Sequence, residues 1–355
     1  MNPNRLAKLE EVRQKNSADA ILVSKPVHLH YFSGFRGYAA HLLITPQRKI
    51  LVTDSRYTEQ AAKEAPLFTV EKQESGLLIH TTDLIKEQGV KNLAFEGNAL
   101  LYDDYVRLKD LLPGVTLTAV KLNELRQVKE PQEIEYIKKA CAIADEAFSQ
   151  VLTFIRPGLT EKEVAWFLDS AMLKLGAEKP SFDTIVVSGE RGSLPHGVAT
   201  EKLLNAGDFV TMDFGAVYQG YHSDMTRTIA LGQVSERQRD LYNTVLRAQL
   251  MAVENIRPGA AGKAVDKTVR DYLDAKGLGE YFGHGLGHSL GLEIHEEPRL
   301  SKLSTCEALL PNMLVTAEPG VYIPGFGGLR IEDTVLVTAS GAEPLTHSPK
   351  ELIVI

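Results

Sequence analysis

The sequence predicts a two-domain α/β (α+β) protein. A small N-terminal α/β domain, residues 1–126, precedes a larger domain, residues 127–355, built from a duplicated unit of two helices followed by strands. Three observations carry this. At 355 residues the chain is long for a single hydrophobic core. Its first third alternates short strand-like runs with helical spacing, then gives way to a long amphipathic helix. The remainder repeats itself: Ile155-Arg156-Pro157-Gly158 returns as Ile256-Arg257-Pro258-Gly259, and Val210-Thr211-Met212-Asp213-Phe214-Gly215 as Val315-Thr316-Ala317-Glu318-Pro319-Gly320.

In the first domain, Ala20-Ile21-Leu22-Val23 reads as a strand. His41-Leu42-Leu43-Ile44 and Lys49-Ile50-Leu51-Val52-Thr53 flank Thr45-Pro46-Gln47-Arg48 as a hairpin. Ser55 to Glu64 and Tyr102 to Leu112 have helical spacing, the second stopped by Pro113-Gly114. The boundary falls near residue 126, where Lys129-Glu130-Pro131-Gln132-Glu133 opens a helix with proline early and acids in the first turn.

In the second domain, each Ile-Arg-Pro-Gly ends one helix, and the next helix closes near Gly176 or Gly277. The repeat offsets are nearly equal, 101 and 105 residues, so the two halves should pack about a pseudo-twofold axis.

Composition narrows the function. An apolar fraction of 44% and a charged fraction of 24% are those of a globular protein. A net charge of -7 argues against nucleic acid as the main partner. No apolar run approaches the ~18 residues of a membrane span, and Met1 to Asn16 has no signal-peptide core. Cys141 and Cys306 are too few for a disulfide framework, so a reducing, cytoplasmic compartment is expected.

The repeat also places chemistry. Asp213 and Glu318 fall at matched positions near the ends of apolar strands. Each is followed by a second acid, Asp224 and Glu332, expected on the returning strand. A lone acid is usually solvated or salt-bridged. Four matched acids in apolar surroundings would repel one another and be costly to ionise, and divalent cations remove that cost. Oxygen-rich ligation suits Mn²⁺ or Co²⁺ and permits Zn²⁺ or Fe²⁺. His284, His288 and His295 cluster among glycines, and Pro195-His196-Gly197 adds a fourth histidine seventeen residues before Asp213.

Asp213, Asp224, His288, Glu318 and Glu332, in this order, resemble the five ligands of the pita-bread metallopeptidases, the family of methionine aminopeptidase, aminopeptidase P and prolidase. Pro195-His196-Gly197, the stretch from Gly220 to Thr228, His288 to His295, Glu318-Pro319-Gly320 and Arg330-Ile331-Glu332-Asp333 carry the likeness. Tyr31-Phe32-Ser33-Gly34-Phe35 and Asp54-Ser55-Arg56-Tyr57 resemble the front domain of prolidase and aminopeptidase P, which ranks methionine aminopeptidase lower.

The resemblance implies hydrolysis of the Xaa-Pro bond in proline-containing di- or oligopeptides by a homodimer. Asp213 and Asp224 would hold one metal, with Asp224 and Glu332 bridging to a second held also by His288 and Glu318. A hydroxide shared by the two metals would be the nucleophile. It also implies that Glu318 relays the proton, that His196 and His295 orient substrate and stabilise the oxyanion, that His284 and Arg330 also contact substrate, and that Arg330 orders the ligands.

Arg299 chooses between exopeptidases. Prolidases use an arginine after the equivalent of His295 to grip a dipeptide's carboxylate, whereas the bland reading is a surface arginine in a loop. On this residue dipeptidase is favoured over aminopeptidase P.

Two rivals come from other classes. Gly287-His288-Ser289-Leu290-Gly291 matches the nucleophile elbow of serine hydrolases, with Ser289 as nucleophile. Only 66 residues follow Ser289, and that reading leaves the four acids unexplained. The other rival is a non-catalytic binding module, a use of this fold that tends to lose ligands, whereas all five ligand positions are intact here.

Overall fold

A computed structural model describes residues 3–355. The chain divides into an N-terminal unit ending at Arg126 and a C-terminal unit, Gln127–Ile355.

The N-terminal unit is a six-stranded sheet flanked by helices. Its strand order is Thr69–Lys72, Lys49–Thr53, Ala40–Ile44, Ala20–Val23, Asn92–Glu96, Thr116–Val120. Ala20–Val23 is buried along its whole length, as a run of four apolar residues between helices requires. It pairs antiparallel with Ala40–Ile44 and parallel with Asn92–Glu96. The hairpin closes between Ile44 and Lys49, and the Arg48 N–H donates to Thr45 Oγ1 at 3.0 Å.

One helix starts later than its spacing suggests, at Thr58 instead of Ser55. Asp54 accepts from the Arg56 N–H at 2.9 Å and holds this stretch as a turn, an alternative to the helix that a short acidic side chain offers. The sequence reading leaves three further helices unassigned: Pro3–Lys15, Pro26–Ser33 and Leu77–Glu87.

The C-terminal unit carries the duplication. Helices Pro131–Phe154 and Glu161–Lys174 open its first half, and Glu236–Asn255 and Gly262–Ala275 its second. Capping boxes start three of them, Glu130 with Glu133, Thr160 with Glu163 and Ser235 with Gln238. Strand Phe209–Phe214 pairs with Met225–Ala230, and Leu314–Ala317 with Asp333–Val337. Each half buries its own core. Phe148, Leu168, Val210 and Met212 belong to one, and Val245, Val269, Val315 and Ala317 to the other, so the repeat partners Val210 and Val315 do matching work.

The hairpins differ from the simple returning strands expected. A smaller hairpin is inserted in each: Ala216–Tyr218 with Tyr221–His222, and Gly320–Ile323 with Gly327–Arg330. Asp224 and Glu332 are therefore not inside the returning strands but in the residue just before each of them. A corner residue lies off the pleat and can aim its side chain toward the opposite half.

Among the described residues, no helix is long and apolar enough to cross a membrane.

Candidate functional site

The acids meet on the floor of a cavity of about 600 Å³. Asp213, from strand Phe209–Phe214, and the corner residues Asp224 and Glu332 are all buried. Glu318, just past strand Leu314–Ala317, joins them with a partly open side chain. His288 arrives from strand Gly287–Ser289. Glycine before it is a packing necessity, because a Cβ at Gly287 would lie 2.0 Å from the Thr316 carbonyl oxygen.

His288 shows what the floor is built for. Its Nδ1 lies 3.0 Å from the Ser289 carbonyl oxygen, which can only accept, so Nδ1 carries the proton. In the neutral ring Nε2 is then a bare lone pair, and it faces Asp224 Oδ2 at 3.4 Å and Glu318 Oε1 at 3.5 Å. A lone pair aimed at two carboxylates is repulsive unless a proton or a cation lies between them. Asp213 Oδ1 and Asp224 Oδ1 are buried without hydrogen-bond partners, again as ligands would be. One ligand atom each from Asp224, His288 and Glu332 falls within 4.8 Å of the others. The residues fit a divalent cation.

Electrostatics agree. Burial, then Asp213 and Glu318, push the Asp224 carboxyl well above its ordinary range. Burial, then Asp224 and Glu318, do the same to Glu332. Asp213 is raised mainly by burial, against the pull of Arg330. Such a cluster favours protons unless positive charge is supplied.

Polar groups around the floor hold it in place. Thr226 Oγ1 donates to Glu332 Oε2 at 2.6 Å, and Thr316 Oγ1 to Glu318 Oε1 at 3.1 Å. Arg330 is buried, and all three of its nitrogens are placed: Nε on Thr226 Oγ1 at 3.0 Å, Nη1 on Tyr322 Oη at 2.8 Å, Nη2 on Asp213 Oδ2 at 2.5 Å. Arg330 is thereby tied to Asp213 and to two hydroxyls beside the acids, and it also lines the cavity.

His284 is another residue expected to contact substrate. It lines the cavity, but Nδ1 is engaged by the Gly285 carbonyl at 2.8 Å and Nε2 by Tyr322 Oη at 2.9 Å. Burial lowers its pKa and keeps the ring neutral.

His196 and His295 stand exposed on the cavity wall. The His295 ring packs edge-on against His288 at 4.5 Å, and partial burial, then His288 and Arg299, lower its pKa. Arg299 is at the mouth, its side chain half exposed and Nε 3.5 Å from Glu297 Oε1.

Ser289 is fully buried within a strand and does not line the cavity, which removes the strand-to-helix elbow a serine nucleophile needs. Sequence reasoning passed over Tyr322, Thr226 and Thr316. The two threonines lie in stretches already singled out, but a hydroxyl in a strand gives no signal of what it will touch. Tyr322 lies beyond the repeated segment, and nothing in the sequence points to it.

Two matched halves that raise a floor of acids and one histidine under a peptide-sized cavity define a metal-dependent hydrolase. Known proteins make this specific. Residues 135–339 match metallopeptidase family M24, and residues 5–128 the creatinase/prolidase N-terminal domain. The chain belongs to metallopeptidase family M24. It is 40% identical over 360 residues to a Xaa-Pro dipeptidase of Pyrococcus horikoshii, covering 98% of each chain. A solved Xaa-Pro dipeptidase from Bacillus anthracis superposes with a TM-score of 0.94 at 45% identity, over 99% of this chain and 100% of that one. An X-Pro aminopeptidase from Thermotoga maritima superposes at 0.90 with 36% identity, over 97% of this chain and 100% of that one.

Proposed function

We propose that this chain is a metal-dependent Xaa-Pro dipeptidase, its centre made by Asp213, Asp224, His288, Glu318 and Glu332. The observation that carries it is the His288 lone pair turned on Asp224 and Glu318 at the floor of the cavity. Full-length likeness to Xaa-Pro dipeptidases supports the substrate.

Asp213 and Asp224 would hold one divalent ion, and Asp224, Glu332, His288 and Glu318 would hold a second. Oxygen-rich ligation favours Mn²⁺ or Co²⁺, with Zn²⁺ or Fe²⁺ as substitutes. When bound, such ions would supply Lewis acidity to a water and to the scissile carbonyl. Glu318 takes the proton from the attacking water and returns it to the proline nitrogen as the C–N bond breaks. His196 and His295 hold the carbonyl oxygen and donate to it as charge develops. Arg299, at the mouth, pairs with the free carboxylate of proline and so sets the length of peptide that fits. Support for a cytoplasmic homodimer is slighter: the resemblance to the prolidase group, and for the compartment two free cysteines.

The second reading, an Xaa-Pro aminopeptidase, has support in the Thermotoga maritima likeness. The deciding test strips the protein with EDTA, restores Mn²⁺, Co²⁺ or Zn²⁺, and compares Xaa-Pro dipeptides with Xaa-Pro-Yaa tripeptides. Dipeptide preference is expected. Tripeptide preference overturns the dipeptidase reading, and activity indifferent to chelation overturns the metal centre.

A further inference from the structure

Behind the cavity wall a buried lysine ties together the two segments that carry His288 and His295. Lys129 precedes the helix Pro131–Phe154, and its backbone N–H is anchored on the Asn312 carbonyl at 2.9 Å. Its side chain is 1% exposed and does not line the cavity. Nζ reaches Ser289 Oγ at 3.1 Å, Glu296 Oε2 at 3.3 Å and the Gln127 carbonyl at 3.4 Å, so the ammonium's three donors are all committed.

Its two side-chain partners are well chosen. Ser289 follows His288, and its carbonyl accepts the His288 Nδ1 proton. Glu296 follows His295, and its other oxygen accepts from the Glu293 N–H at 3.1 Å. Ser289 and Glu296 face each other across the two strands at a slip in register. Residues 290–295 leave from one and return to the other, delivering His295 against His288. The loop lies close over this carboxylate, since a Cβ at Gly291 would meet Glu296 Oε1 at 2.9 Å.

Burying an ion pair is a poor way to stabilise a fold, because desolvation offsets most of the attraction and apolar residues of similar size do as well. What a buried pair can supply is one fixed geometry. We propose that Lys129 is a positioning residue for the reaction, acting through Ser289 and Glu296 to fix the distance and angle between His288 and His295. The proposal rests on the roles assigned to these histidines above.

The test compares the metal-loaded parent with Lys129→Met and with Lys129→Met/Glu296→Gln. The double variant removes both charges, so no carboxylate is left buried without its ammonium, and its melting temperature should return close to the parent's. Its kcat on an Xaa-Pro dipeptide should stay about 10–100-fold down, the range for groups that orient ligands and catalytic side chains. KM should change less than about threefold, because ground-state binding is left in place. Its crystal structure should show the His295 ring moved from its edge-on contact. Recovery of kcat along with the melting temperature overturns the proposal, as does a lost kcat with the ring unmoved. Failure of the dipeptidase reading itself would be read separately, as a parent inactive on Xaa-Pro dipeptides.

Discussion

His288 Nε2 faces Asp224 Oδ2 across 3.4 Å, and because the Ser289 carbonyl holds a proton on the other ring nitrogen, the neutral ring presents this carboxyl with a lone pair. A divalent cation would be held by both side chains and would remove the repulsion between the lone pair and an ionised carboxylate. Asp224→Asn and His288→Ala should therefore lose the rise in melting temperature that Mn²⁺ gives the parent, since a ligand stabilises only the fold that binds it. Activity should fall by at least ~100-fold, more than removal of an orienting neighbour costs. Thermal shift against Mn²⁺ concentration, beside dipeptide hydrolysis, checks both. Undiminished metal response in either variant would remove these residues from the centre.

Arg299 is half exposed at the cavity mouth and, among the described residues, its ion pair is with Glu297 at 3.5 Å, so it is available to a second carboxylate. A charge-assisted pair of this kind contributes roughly 1.5–3 kcal/mol. Arg299→Ala should lower kcat/KM on an Xaa-Pro dipeptide by about 10–100-fold. The same substitution should leave the corresponding Xaa-Pro amide almost unaffected, because the amide has no carboxylate to lose. Equal losses on both substrates would make Arg299 a structural residue.

The direction of the hydrogen bonds beside the acids is fixed from both ends. Arg330 Nη1 can only donate, so Tyr322 Oη accepts at 2.8 Å and gives its own proton to His284 Nε2 at 2.9 Å. Tyr322→Phe leaves two buried polar groups short of a partner, at a cost of about 1–3 kcal/mol. The melting temperature should drop by several degrees. Because Arg330 also holds Asp213, kcat should fall by ~10-fold, within the range for groups that orient ligands. An unchanged melting temperature would mean that water replaces the hydroxyl without loss.

Much of this site was legible in the sequence because duplication left a trace there. Asp213 and Glu318 stood at matched places in two similar strings, and the structure puts each at a strand end with Val210 and Val315 in matching cores. The corners at Asp224 and Glu332 were not legible, since short inserted strands such as Tyr221–His222 carry too few residues for a period to show. The commitments of His284 and Arg330 were hidden for another reason. Their partner Tyr322 is close only in space, and a hydrogen bond between side chains 38 residues apart has no periodic signature. In the first unit, Asp54 overrode a good helical spacing by bonding locally to Arg56.

That unit holds a buried titrating group of its own. His41 is buried in strand Ala40–Ile44, its Nδ1 3.0 Å from Thr81 Oγ1, and burial pulls its pKa down from 6.5 to about 4. The folded pKa is the lower one. Between about pH 6.5 and 4 the unfolded chain binds a proton the folded chain refuses, so stability falls as pH falls through that window. At one pKa unit per 1.36 kcal/mol the loss is on the order of 3 kcal/mol. His41→Asn removes the titration and should flatten this part of the profile, at some uniform cost in packing. Hydrogen–deuterium exchange of peptides spanning residues 40–53, corrected for intrinsic rate, reads the local stability across pH 4 to 7. If parent and variant lose protection in parallel as the solution is acidified, His41 is not the group that titrates.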